Sequence, residues 1–214
     1  NRRVSHDGVT KKKEQLYKIN HLAQEFYHYI LTKHERGEEA RSYLTKRGIT
    51  EKAITIFKLG FAPSHPNSLF LFLTEKKGFT TAELEEAGLI IRVQGSVIKD
   101  RFRDRIMFPL TDQRGNVVGF SGRLLQESPT IAKYVNTPET RIYHKGDLLY
   151  GLDLAKEAIR KTATAILVEG EFDVIQGKIH GIDNIVAIKG TALTDSQILT
   201  LHRFTEKVSI CLDQ

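Results

Sequence analysis

Residues 163–173 read Ala-Thr-Ala-Ile-Leu-Val-Glu-Gly-Glu-Phe-Asp. A short apolar run that ends abruptly in acids and a glycine reads as a buried strand feeding a helix. The same plan repeats on both sides. A helix is predicted over Leu152 to Lys161, then this strand over Ala165 to Val168, a helix over Phe172 to His180 and a strand over Ile185 to Ile188. A helix capped by Thr194 runs to Arg203, and a last strand covers Val208 to Leu212. Strands separated by helices of about ten residues mark βαβ units and a parallel sheet, which sets an α/β class for this end.

In open parallel sheets, ligands gather where strands end and helices begin. Glu169 follows the first of these strands and Asp213 the last. Gly170 allows a tight turn, and Asp173, one helical turn after Glu169, would share its side. Converging carboxylates suit a hard cation such as Mg²⁺, which acts on phosphoryl groups. The same acids equally suit the first turn of a helix, where negative charge meets the helix dipole. Both readings stand at this point. Cys211, the single cysteine, reads as a small buried hydrophobe and excludes an internal disulfide or a multi-cysteine zinc site. The eight histidines show no zinc-type spacing.

Outward to the N-terminus the pattern changes. Ile106 to Leu110 and Val117 to Leu124 are β-type runs joined by Gln113-Arg114-Gly115-Asn116, a hairpin turn, and Leu89 to Arg92 is a further strand. The first 88 residues read as mostly helical, with a long amphipathic helix from Leu16. Shorter helices follow over Glu38 to Lys46, from Thr50 to near Gly60, over Leu69 to Thr74 and over Ala82 to Ala87. Residues 1–15 read as a flexible arm. The organisation is therefore the arm, a basic α+β part over 16–150, and a parallel βαβ part over 151–214. The chain does not begin with Met and stops after an apolar run, so both ends are expected to continue.

At 214 residues with 40% hydrophobic and 27% charged side chains, the composition is globular and excludes a disordered chain. No apolar run approaches a membrane span, so no membrane partner is expected. The net charge of +6 is uneven: residues 1–60 hold 13 Lys/Arg against 7 Asp/Glu, residues 151–214 hold 7 against 9. A basic front and an acidic rear suit a polyanion in one part and metal chemistry in the other.

The basic middle centres on Asp100-Arg101-Phe102-Arg103-Asp104-Arg105, whose arginines alternate, so a β conformation would point all three to one face. Arg123 lies in the following hairpin, Lys133-Tyr134 comes soon after, and Arg47 ends a helix. Such arginines grip phosphate, and Tyr134 or Phe102 could stack a base. The rival reading is a solvated face with Arg–Asp pairs between neighbours. No GxxxxGK[ST] or GxGxxG phosphate loop is present.

Read in order, these motifs resemble one family, the catalytic core of bacterial DnaG-type DNA primase. The likeness runs through YLTKRGIT (43–50), LGFAP (59–63), DRFRDRIMFPL (100–110), GNVVGFSGRLL (115–125), AKYVNTPET (132–140), HKGDLLYGL (144–152) and VEGEFDVI (168–175). Gly190-Thr191 and the SICLD strand close it. It covers about residues 16 to 214. The EGxxD element alone would indicate only the topoisomerase–primase (Toprim) fold.

The resemblance implies a basic N-terminal subdomain beside a Toprim subdomain, synthesising RNA primers on single-stranded DNA by metal-dependent nucleotidyl transfer during replication. It implies Mg²⁺ or Mn²⁺ as cofactor, with zinc confined to an N-terminal domain outside this chain. Template DNA, ribonucleoside triphosphates and RNA primer are the implied partners. Replicative helicase and single-strand-binding protein would be met through other regions. A monomer in the bacterial cytoplasm, at the replication fork, is expected. By likeness Glu169 is a metal ligand or general acid/base, Asp173 its companion acid, and Asp213 the first acid of a DxD metal motif. Arg47, Arg123 and Lys133 match basic residues around template and nucleotide, and Arg101 and Arg103 belong to the same motif. The second DxD acid would lie beyond Gln214, so activity is expected to require residues past that point. Lys189 stands where the family usually carries an apolar residue, and the 126–132 connection (QESPTIA) is slightly long. The rivals are another Toprim enzyme (a nuclease, a topoisomerase or a phage primase–helicase) and a noncatalytic single-strand-binding module.

Overall fold

The computed structural model describes residues 2–93, 95, 97–189 and 192–212, with side chains described from residue 9 onward. In chain order, helix α1 (Arg2–Lys33) and a 3-10 turn lead to α2 (Glu38–Lys46), α3 (Glu51–Ile56) and strand β1 (Gly60–Ala62). Helices α4 (Ser68–Leu71) and α5 (Thr81–Glu86) flank a π-helical turn, Phe72–Lys76. Strands β2 (Ile90–Val93), β3 (Val97–Asp100), β4 (Arg105–Thr111), β5 (Val117–Leu124), β6 (Tyr134–Asn136) and β7 (Leu149–Tyr150) follow. The chain then alternates: α6 (Leu152–Thr162), β8 (Ala165–Val168), α7 (Glu171–Ile179), β9 (Ile185–Ile188), α8 (Asp195–His202) and β10 (Val208–Ile210).

Two compact units result, and they interleave in sequence. The first holds residues 1–43, 58–109 and 117–143; the second holds 44–57, 110–116 and 144–214. The expected division at residue 150 follows chain order, whereas packing gives helix α3 and the tip of the β4–β5 hairpin to the later unit. That tip is tied there by the Thr111 hydroxyl donating to Asp153 (2.9 Å) and by Lys156 Nζ donating to the Gln113 carbonyl (2.9 Å).

In the first unit a sheet of order β1-β4-β5-β6 carries α1 on one face, and β2 and β3 form a separate antiparallel pair. Helix α1 buries Leu16, Ile19, Ala23 and Tyr27 with Phe102, Met107 and Phe120. Of the arm expected over 1–15, residues 2–15 are instead the first part of this helix, and residue 1 lies outside the described residues. A lysine-rich run without proline extends a helix already nucleated by packing at little cost. Gly60 is required by close approach: a Cβ there would lie 2.5 Å from Tyr27 Cβ. The expected helix over Leu69 to Thr74 is split into α4 and the π turn, with Leu69 and Leu73 both buried.

In the second unit β10, β8 and β9 run parallel and β7 closes the far side antiparallel, order β10-β8-β9-β7. Its core joins Leu149, Leu152 and Ile159 to Leu167, Val186, Ile188 and Leu201. This is the predicted α/β pattern. Cys211 departs from expectation and is exposed, as are Val208 to Ile210 of β10, which stands last in the order of the described strands. Among the described residues no helix is long and apolar enough to cross a membrane.

Candidate metal-binding edge and nucleic-acid interface

The parallel sheet sets the first part of the site. Strand β8 ends at Val168, and Glu169 emerges at its carboxyl end with its side chain exposed. The turn into α7 is fastened twice. The Gly170 N–H donates to the Asp173 carboxylate (3.0 Å), which thereby caps α7. Glu171 in the first turn of α7 is buried and ion-paired with Lys189, just past the end of β9. Asp173 is exposed, and its carboxylate caps the helix start. Asp213, Gly190 and Thr191 lie outside the described residues. Lys189, which stands where an apolar residue was expected, has its ammonium buried against Glu171. Charge in an apolar strand end was the sequence signal for this pair; the partner was not legible.

Around this edge burial acts on the titrating groups. The Tyr150 phenol is pushed well above its usual range by burial and then by the charges of Glu171 and Asp153. Burial raises the Asp153 carboxyl, against the lowering effect of the Thr111 hydroxyl. Among the described residues no group of three or more His, Cys, Asp or Glu side chains converges to hold a metal. The donor Glu169 does fit one in kind, since hard cations take one or two carboxylates and complete their shell with water or phosphate.

Arg47 belongs to this same unit. It follows α2, and its guanidinium lies over the Phe172 ring, 4.8 Å from the centroid, while its carbonyl accepts from Gln176 Nε2 (2.7 Å). Phe172 and Gln176 are both on α7, so a basic residue 122 positions earlier in the chain sits on the helix that follows Glu169.

The other basic candidates lie in the first unit, and they do not form the single face that alternation predicted. Residues 101–104 are not in a strand, and Asp104 takes a left-handed φ of 52°. That break turns the arginines apart. Arg105 is buried and donates to the carbonyls of Gly122, Ala132 and Lys133 at 2.8–3.1 Å, holding β5 and β6 together. Arg101 Nε donates to the Gly88 carbonyl (2.7 Å) and is part-buried; Arg103 is exposed. Burial pulls both the Arg101 and Arg105 guanidinium groups below their usual range. Phe102, a candidate base-stacker, is in the core and cannot stack. Asp104 is raised by burial foremost.

Arg123 is almost wholly covered, 4% exposed, with its guanidinium against the Tyr43 ring and donating to the Tyr43 hydroxyl. Lys133 and Tyr134 are exposed, and Tyr134 pairs with Arg123 across β5 and β6. Glu127, from the slightly long connection, meets both cations: 3.6 Å to Arg123 Nη2 and 2.9 Å to Lys133 Nζ. Neither Tyr43 nor Glu127 stood out by residue type or spacing, because a tyrosine in a helix and a glutamate in a loop carry no signal alone.

Comparison with known proteins decides the kinship. The family model described as the DNA primase catalytic core, N-terminal domain, matches residues 26–156. The chain belongs to that family. A Toprim domain model matches residues 163–214, over the β8-to-β10 segment. The DNA primase of Synechococcus elongatus is 45% identical over 205 residues, covering 94% of this chain and 29% of that protein. That of Listeria monocytogenes is 39% identical over 204 residues, covering 95% and 32%. Among solved structures, the RNA polymerase domain of Mycobacterium tuberculosis primase DnaG superposes with a TM-score of 0.86 at 37% identity, covering 94% of this chain and 66% of that one. A DnaG primase catalytic domain bound to single-stranded DNA gives a TM-score of 0.84 at 35% identity, with 94% and 64% covered. The chain spans about a third of the length of the curated relatives it matches. Toprim primases use divalent metal in general, and the primase fold therefore gives the exposed Glu169 carboxylate its chemical context.

Proposed function

We propose that this chain is part of an enzyme that makes short RNA primers on single-stranded DNA from ribonucleoside triphosphates. The observation that carries the reading is Glu169, an exposed carboxylate at the carboxyl end of a parallel strand in a primase-family chain. In the reaction the 3′-hydroxyl oxygen of one nucleotide forms a bond to the α-phosphorus of the next. The bond to pyrophosphate breaks, and the hydroxyl proton leaves to a base or to water. Glu169 is the group proposed to accept that proton or to ligate the cation, with Asp213 as the second ligand and Asp173 as its companion acid, whose carboxylate also holds the turn. Mg²⁺ or Mn²⁺, when bound, would neutralise triphosphate charge and help ionise the attacking hydroxyl.

The chain's own residues hold the polyanions. Arg47, steadied by Phe172, and Arg123, steadied by Tyr43, offer guanidinium groups with restricted freedom, which suits phosphate. Lys133, Arg101 and Arg103 add charge, and exposed Tyr134 offers a ring for a base. Such contacts position the strand without reading its sequence and weaken steeply with salt. We also propose residues 16–150 and 151–214 as the functional subdomains. Zinc, helicase and single-strand-binding protein would engage other regions of the longer protein, a monomer in the bacterial cytoplasm at the fork.

The test is labelled-ribonucleotide incorporation on single-stranded DNA by the full-length protein, with and without Glu169→Gln. The variant is expected to bind DNA as before and to make no primers. Normal synthesis by Glu169→Gln would overturn the assignment.

A further inference from the structure

Glu127 is an exposed acid, 69% accessible, that touches a buried guanidinium and an exposed ammonium at once. Its connection is anchored at both ends. Before it, the Leu125 N–H donates to the Asp104 carbonyl (2.9 Å) and Gln126 Nε2 donates to Glu39 (2.6 Å). After it, Arg105 binds the carbonyls of Ala132 and Lys133. The Glu127 side chain can therefore leave its partners by rotation, without unfolding the loop or moving β5 and β6. Arg123 lies near the end of β5 with its guanidinium against Tyr43, while Lys133 is held through its carbonyl and keeps an exposed side chain.

We propose that Glu127 is a positioning residue that occupies the phosphate-binding place of Arg123 and Lys133 and is displaced when single-stranded nucleic acid arrives. This rests on the reading of those two cations as a strand-holding surface. A carboxylate oxygen and a phosphate oxygen both accept charge-assisted hydrogen bonds from the same donors. Held by Glu127, the two cations stay together in the DNA-free protein. The strand must then replace an ion pair already made, so each engagement is weaker and easier to release. A polymerase that must slide its template gains from such a limit on affinity.

The test is equilibrium binding of a fluorescent single-stranded oligonucleotide to the full-length protein, as a function of salt, for wild type, Glu127→Gln, Lys133→Ala and the double variant. An exposed ion pair supports a gain of about two- to fivefold in affinity for Glu127→Gln at low salt. The plot of log affinity against log salt should steepen by up to about 0.7, one phosphate contact no longer offset by a released carboxylate. In the Lys133→Ala background the Glu127→Gln gain should shrink, because the Lys133 ammonium that Glu127 meets is gone. Thermal unfolding of Glu127→Gln should match wild type. Equal gains in both backgrounds would mean a general field effect and overturn the proposal, as would no gain at all while wild type binds in a salt-sensitive way. A wild type without salt-sensitive binding, or one whose binding Lys133→Ala leaves unchanged, would overturn the strand-holding reading and the proposal together.

Discussion

Replacing Lys189 by methionine removes one half of a buried ion pair and leaves the other half in place. The two side chains are 6% and 5% exposed, so water screens neither charge well. The pair itself need not be worth much, since its mutual attraction is set against the desolvation of both ions. The broken pair is different. Methionine fills most of the lysine volume, so the loss is electrostatic: a Glu171 carboxylate at the start of α7 with no counter-ion. Breaking such pairs costs about 3–5 kcal/mol. For a domain of about 200 residues, each kcal/mol moves the unfolding midpoint by roughly 2–4 °C, so a drop of about 6–20 °C is expected. Among the described residues the Tyr150 hydroxyl is buried without a hydrogen-bond partner, and it lies in the field of Glu171. If it turned to donate to the orphaned carboxylate, the drop would fall at the small end of that range. The assay is thermal unfolding followed by circular dichroism, for Lys189→Met and for a double variant with leucine at both 171 and 189. The double variant should recover most of the loss, since apolar residues in place of a buried pair are often neutral or stabilising. A single variant within about 1 kcal/mol of wild type would refute the argument, because it would mean the site is wet. So would a double variant less stable than the single one, because the penalty would then not be an orphaned charge.

Three further outcomes rest on particular contacts. Asp100 is buried and pushed up to about 6, chiefly by desolvation, although it accepts N–H bonds from Leu69 and Phe70. A folded-state value above the unfolded one of about 3.9 means the native state binds the proton more tightly, so stability from this group falls as pH rises from about 4 to about 6. Urea unfolding of Asp100→Asn across that window should show a less negative slope with pH than wild type. Thr80→Ala removes the hydroxyl half of the α5 cap, the Thr80 oxygen that accepts from the Glu83 N–H, and leaves the backbone N–H at 80 that donates to Glu83. It should cost about 1 kcal/mol by urea midpoint, and the Glu83 carboxyl, held low first by the backbone N–H at 80 and next by the Thr80 hydroxyl, should titrate higher by NMR yet stay below its usual range, because that N–H remains. Gly60→Ala would drive a methyl into Tyr27 at 2.5 Å and should destabilise by about 1–3 kcal/mol, read by thermal unfolding.

Local order was largely legible. Apolar runs of four residues punctuated by acids and glycine identified β8 and β9, and the Asp112 to Asn116 turn sits where the sequence put a hairpin. Period is a local property, and both strands and helices announce themselves by it. The arginine run was misread by the same rule. Alternation assumes an unbroken strand, and the left-handed Asp104 breaks it, sending Arg105 inward and leaving Phe102 in the core.

By itself, the sequence determined the α/β class, the primase kinship and the place of Glu169 at the end of a strand, because motif order and periodicity are written along the chain. Only the tertiary structure decided the partners. Arg47 meets Phe172, Lys189 meets Glu171, and Arg123 is wedged between Tyr43 and Glu127. Each of those pairs except Arg123–Glu127 is separated by many residues, and none is implied by residue type. A charge buried or half-buried has to find its counterpart wherever packing brings one, and packing is a property of the whole folded unit rather than of any stretch of it.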